Sequence, residues 1–172
     1  MSCGQFESER RQNRLVNAAF TIAPVHSPGD LDVVRALFRE YATTPDVGIC
    51  VQGFDEEIAG LPGLYAEPRG TLLLARVGPA AAGCVALKPV ADATAEMKRL
   101  FVRGDFRGRK IGEALAMAII DAARTRGYAR LRLDTLPQMK EARVIYSRLG
   151  FAEVPPFNAL PIAGAAYMEL PL

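Results

Sequence analysis

Arg103-Gly104-Asp105-Phe106-Arg107-Gly108-Arg109-Lys110 concentrates cations and glycines immediately before a run of apolar residues at helical spacing. A glycine-containing turn that opens a helix leaves several backbone N–H groups unpaired. They point outward at the positive end of the helix dipole, which suits them to hold an anion. Arg107, Arg109 and Lys110 add formal charge at the same place. The chemistry implied is the binding of a phosphate or pyrophosphate. A solvated basic turn is the competing reading of the same residues.

Two elements must position that turn. Before it, Thr94-Ala95-Glu96-Met97-Lys98-Arg99-Leu100-Phe101-Val102 reads as a strand. After it, Ile111, Leu115, Ala118, Ile119 and Ala122 recur at i, i+4, i+7, i+8 and i+11, one face of an amphipathic helix running to Thr125. Gly127, after Arg124 and Arg126, suits the C-terminus of that helix and its dipole.

With these elements in place, the motifs acquire a family likeness. Arg107-Gly108-Arg109-Lys110-Ile111-Gly112 resembles the R/Q-x-x-G-x-G/A signature of the GNAT superfamily of acetyl-CoA-dependent N-acetyltransferases. Arg107 matches its first position and Gly112 its last, while Lys110 stands where the first glycine usually lies. Ala142-Arg143-Val144-Ile145-Tyr146-Ser147-Arg148-Leu149-Gly150-Phe151 is similar to the family's A-x-x-x-Y-x-x-x-G-F segment. The motifs come in the family's order, with the strand-like Ala129 to Asp134 between them, and the resemblance covers residues 20 to 172.

The resemblance implies an α/β (α+β) domain with a mixed, mostly antiparallel central sheet, helices on both faces, and a splayed strand pair that holds the cofactor. It implies transfer of the acetyl group of acetyl-CoA to a primary amine of a small molecule or peptide, directly and in a ternary complex. A CoA-binding sensor or interaction module of the same fold, weak in catalysis, is the alternative. Leu100, Phe101 and Val102 are then expected to offer backbone groups to the pantetheine arm, which adds like an extra strand. The same N–H groups would polarise the thioester carbonyl, and one good oxyanion donor contributes ~3 kcal/mol. Arg107, Gly108, Arg109, Lys110, Ile111 and Gly112 would take the pyrophosphate, with Lys110 offering its N–H from helical dihedrals. Met139 stands where many relatives carry an asparagine that bonds the pantetheine arm.

Proton transfer needs an acid and a base. Tyr146 is expected to protonate the leaving thiolate, with a packing tyrosine as the alternative. Glu96 is expected to deprotonate the amine, through a water. Lys98 shares its face by period-2 alternation, so an ion pair between the two is the competing reading. Asp134, at the end of the following strand, could orient substrate. In the family's fold the acceptor pocket is built from about Thr43 to Phe54 and Pro155 to Gly164, so Ile49 to Phe54 are candidates to touch substrate. Asp55, Glu56 and Glu57 could attract a cationic amine or simply favour a helix N-terminus.

Composition bounds the rest. At 172 residues, half of them hydrophobic and 23% charged, the chain suits one domain with a substantial core, residues 17 to 172 after a flexible arm over 1 to 16. A net charge of +2 argues against bulk binding to nucleic acid. No apolar run is long enough to span a membrane, and the polar N-terminus lacks the apolar core of a signal peptide. Cys3, Cys50 and Cys84 make neither a disulfide framework nor a zinc spacing, and with a single histidine no metal site is expected. The default address is a reducing cytoplasm. Sheet-edge pairing could make a homodimer, which the sequence does not decide.

Taken in order, Ala18 to Val25 reads as a first strand. Ser27-Pro28-Gly29-Asp30 then opens a helix whose stripe is Leu31, Val34, Leu37, Phe38 and Tyr41. Phe54 to Leu61 reads as a short helix. Thr71–Val77 and Cys84–Lys88 read as a hairpin turning through Gly78, Pro79 and Gly83, apolar enough to be covered on both faces. Cys84 is expected to be a small core residue. After Ala129 to Asp134 come a helix from Met139 to Leu149, a strand from Phe151 to Val154 and a last strand from Ala166 to Leu170.

Overall fold

The computed structural model describes residues 20–44, 53–91 and 93–172. The N-terminal arm, Ala18, Ala19, Cys3, Cys50 and residues 49–52 of the substrate-loop expectation lie outside them. In chain order the elements are β1 (Thr21–Pro24), α1 (Pro28–Thr43), α2 (Phe54–Ala59), β2 (Thr71–Val77), β3 (Ala80–Ala91), β4 (Thr94–Val102), α3 (Ile111–Thr125), β5 (Arg130–Thr135), α4 (Lys140–Arg148), β6 (Ala152–Val154) and β7 (Ala166–Pro171). Short 3-10 turns at Gly63–Tyr65 and Gly104–Phe106 complete the set.

The strands form one sheet in the order β1-β2-β3-β4-β5-β7-β6. Every neighbouring pair is antiparallel except β4 and β5, which run parallel. Leu73, Val85, Met97, Leu131 and Met168 point to one face, where α3 packs through Ile111, Leu115 and Ile119 and α4 through Tyr146. Leu72, Leu74, Cys84 and Ala86 point to the other, against Val34, Leu37 and Phe38 of α1 and Phe54 and Ile58 of α2. Both faces of the central strands are therefore covered, which is why their sequences read as nearly unbroken apolar runs.

The start of α1 follows the expected capping: the Ser27 hydroxyl accepts the Asp30 N–H at 3.0 Å, with Pro28 in the first turn. The β2–β3 hairpin differs from expectation. Gly83 lies inside β3, not in the turn, and the connection is Gly78-Pro79 alone. A side chain at Gly83 would meet the Phe101 carbonyl oxygen at 2.4 Å, so glycine is required there by close backbone approach. Cys84, fully buried, has its thiol pushed up by that burial and packs as a core residue. No helix among the described residues is long and apolar enough to cross a membrane.

Candidate active site

β4 and β5 are paired only over Thr94–Arg130, Ala95–Leu131 and Glu96–Arg132. Beyond Glu96 the strands part, so the edge of Met97 to Val102 that faces β5 has no strand partner. β4 also carries a bulge, because the β3 register steps from Ala86–Lys98 to Cys84–Phe101. At the bulge Arg99 adopts a left-handed backbone, φ 56°. Its guanidinium holds it there, donating to Glu57 through Nε at 3.0 Å and Nη2 at 2.6 Å, between the rings of Phe54 and Tyr41. Glu57 is thus committed to Arg99 and to the Tyr65 hydroxyl, at 2.6 Å, and is not free to attract an amine.

The opened strands border a cleft of about 190 Å3 lined by Lys98, Leu100, Asp134, Thr135 and Tyr146, with Tyr41, Met139 and Asn158 also on its walls. Tyr146 is buried against Phe151, ring centroids 5.8 Å apart. Burial above all, then Tyr41 and Asp134, holds its hydroxyl above the ordinary tyrosine pKa, so it stays protonated. Thr135 is also buried, and its Oγ1 has no hydrogen-bond partner. A buried polar atom left unpaired is costly, and this one belongs to a residue on the wall of the cleft.

Glu96 is buried in a knot of charge. Arg132 Nε donates to its Oε2 at 3.0 Å, Lys98 Nζ lies 3.2 Å and Lys88 Nζ 3.9 Å from Oε1. Lys98 also donates to Asp134 at 2.8 Å. Burial works against the Lys98 ammonium, but Asp134 and Glu96 outweigh it and raise its pKa. The expected face-sharing of Glu96 and Lys98 is realised as an ion pair. Phe54 is placed differently from the other candidates: it is buried in the core beneath α1, stacked 6.4 Å from Phe38.

At the far end of β4 the basic residues divide. Arg103 is spent on the fold, donating to Glu40 and, at 2.8 Å, to the Ala81 carbonyl. Arg107, Gly108, Arg109 and Lys110 are exposed, with Arg107 Nε donating to the Val102 carbonyl at 3.2 Å. No side chain caps α3, and the first intrahelical bond runs from Ala114 N–H to the Lys110 carbonyl. The N–H groups of the first turn, Ile111 and Gly112 among them, are left for an anion. Lys110 departs from the helical dihedrals expected of it. At φ 61° and ψ 15° it adopts the left-handed conformation that glycine takes without cost. A methyl group at Gly112 would make only an ordinary 3.7 Å contact with Val102, so the protein's own packing does not demand glycine there.

Tyr41 and Thr135 were missing from the sequence candidates, whereas Asn158 falls within the Pro155 to Gly164 segment expected to build the acceptor pocket. Tyr41 sits on the helical stripe that reads as core, but lies at its open end and only half-buried. Thr135 lies in no motif, and only the parting of β4 and β5 shows what it faces.

Comparison with known proteins fits this geometry. Residues 31–151 match the Acetyltransferase (GNAT) family. An uncharacterized N-acetyltransferase of Schizosaccharomyces pombe is 36% identical over 87% of this chain and 93% of its own length. A Streptococcus agalactiae acetyltransferase has the same fold, with a TM-score of 0.75, 18% identity and coverage of 90% of this chain and 99% of its own. The PaiA N-acetyltransferase of Thermoplasma acidophilum, solved in complex with coenzyme A, aligns with a TM-score of 0.67, 20% identity and coverage of 90% and 99%. A strand pair that opens beside an uncapped helix mouth, on a chain related over 87% of its length to an N-acetyltransferase, makes this protein an acyltransferase belonging to the GNAT acetyltransferase family.

Proposed function

We propose that the chain transfers the acetyl group of acetyl-CoA directly to a primary amine of a small molecule or peptide, both substrates being bound together. The observation that carries this reading is the loss of β4–β5 pairing after Glu96. It leaves the β4 edge without a strand partner from the cleft holding Tyr146 towards the α3 mouth, where Arg107 Nε meets the Val102 carbonyl. Along it, the first-turn N–H groups of α3 and the guanidinium groups of Arg107 and Arg109 hold the diphosphate. The free edge at Leu100, Phe101 and Val102 pairs with the pantetheine arm as a strand would. Thr135 Oγ1, covered and unpartnered in the free protein, becomes a polar anchor on the opposite wall once the incoming arm uncovers it, in place of an asparagine at Met139.

In the transfer step the amine nitrogen forms a bond to the thioester carbonyl carbon, and the carbon–sulfur bond breaks. Backbone N–H groups of β4 steady the charge that develops on the carbonyl oxygen. Tyr146, protonated across the neutral range, donates to the departing sulfur and is reprotonated from water. The amine proton leaves through a water held by Glu96. Arg132 and Lys98 occupy part of that carboxylate, but two oxygens carry more lone pairs than these donors use. Asp134, lining the same cleft, orients the acceptor. A cytoplasmic address goes with this reading.

Titration calorimetry with acetyl-CoA tests the reading at its first step. Binding that weakens at least tenfold on Arg107→Ala with Arg109→Ala is expected; binding that ignores both changes would remove the diphosphate assignment.

A further inference from the structure

A second cleft, of about 420 Å3, opens beside the first and shares Lys98 and Arg99 with it. Leu61, Pro62, Leu64 and Tyr65 give it an apolar wall, and Lys88 reaches it from β3. Leu64 is 68% exposed, so this wall presents apolar surface without a covering side chain.

The boundary between the two clefts is crowded with charge. Lys88 and Glu96 are directly opposed in the β3–β4 register. Lys88, Lys98 and Arg132 stand around Glu96 and Asp134, and Glu169 lies directly opposite Arg132 in the β5–β7 register. Arg99 is neutralised by Glu57, and Glu56 on the rim is exposed to water. Within the cluster Lys88 has the loosest partner, at 3.9 Å, and its side chain is 27% exposed. A partly buried cation so loosely paired is favoured by a closer counter-ion.

We propose that the acetyl acceptor is an amine that also bears a carboxylate and an apolar side chain, an amino acid by its chemistry. Its carboxylate pairs with Lys88, its apolar part lies on Leu61, Pro62 and Leu64, and its amine reaches the first cleft past Lys98. The assignment rests on the acetyl-transfer reading above. The carboxylate takes no part in bond-making: the amine nitrogen gains the acetyl carbon as the thioester sulfur leaves.

The test is initial-rate acetyl transfer with leucine and phenylalanine, the corresponding amides, and the decarboxylated amines, together with calorimetry of acetyl-CoA. The acids should exceed both amides and amines at least tenfold in kcat/KM. Lys88→Met should remove that preference while leaving acetyl-CoA affinity unchanged. Lys88→Glu should reverse the preference toward the amines, and Lys88→Met keeps the test open if the charge reversal harms folding. Equal or better use of the amides or amines, or no transfer to any of the panel, with acetyl-CoA binding intact, would overturn this proposal and leave the acetyl-transfer reading standing. Failure of the parent chain to bind acetyl-CoA would overturn both.

Discussion

Glu96 and Arg132 are the last paired residues of β4 and β5, and a 3.0 Å ion pair joins their side chains where the strands part. The pair fixes the point from which the cleft opens. Removing the carboxylate leaves Lys98 and Arg132 short of a counter-charge in a part-buried site. Glu96→Gln is expected to lower stability by roughly 3 kcal/mol, read by urea unfolding. If Glu96 also guides the amine proton, kcat should fall ~100-fold under conditions where the variant is fully folded. A folded variant with unchanged kcat would leave Glu96 with the structural role alone.

Tyr146→Phe separates binding from chemistry. The ring still packs on Phe151, so acetyl-CoA affinity should stay within about twofold, while kcat falls ~100-fold for want of a proton donor. Unchanged turnover would reject the acid role. Because burial raises the tyrosine pKa above 10, the parent enzyme should show no alkaline loss of rate from this group below pH 10.

Lys110 offers a test of backbone strain at the α3 mouth. Lys110→Gly and Lys110→Ala remove the same charge, but only glycine is at ease at φ 61°. The glycine variant should be more stable than the alanine variant by about 1 kcal/mol in thermal or urea unfolding. Equal stabilities would mean that the turn relaxes to another conformation.

Thr135→Val keeps the shape of the side chain and deletes the unpaired Oγ1. The free protein should be as stable as its parent or up to about 1 kcal/mol more stable, since a buried unsatisfied group is gone. Acetyl-CoA affinity should fall severalfold by calorimetry. A matching loss of stability, with affinity unchanged, would show that the hydroxyl serves the fold.

Glu57 links the bulge to acid stability. Burial works against its carboxylate, but hydrogen bonds from Arg99 and Tyr65 outweigh that and hold its pKa below 4.5. Its contribution is therefore complete above about pH 4.5 and is lost as pH falls through the depressed value. Glu57→Gln should cost roughly 3 kcal/mol at neutral pH, leaving Arg99 unpaired, and should flatten the decline in stability below pH 4.5. A decline as steep as the parent's would place the acid-sensitive group elsewhere.

The order of elements was legible in the chain because period 2 and period 3.6 are local properties. β4 spans Thr94 to Val102, the bounds read from the sequence, and the stripe from Ile111 to Ile119 faces the sheet. Motif spacing likewise located the α3 mouth and Tyr146 before any coordinates. Turn chemistry was less informative, since Gly83 looks like a turn residue until the Phe101 carbonyl is seen pressed against it.

What the sequence determined by itself, then, is the set of elements and the family chemistry they carry, since both are written in residues close together along the chain. Tertiary structure alone decided where β4 leaves β5, that Arg99 turns left-handed to meet Glu57 from another element, and that Lys88, Lys98 and Arg132 converge on Glu96. Those are relations among residues tens of positions apart. Charge balance and the pairing of strand edges depend on distance in space, which no local period records.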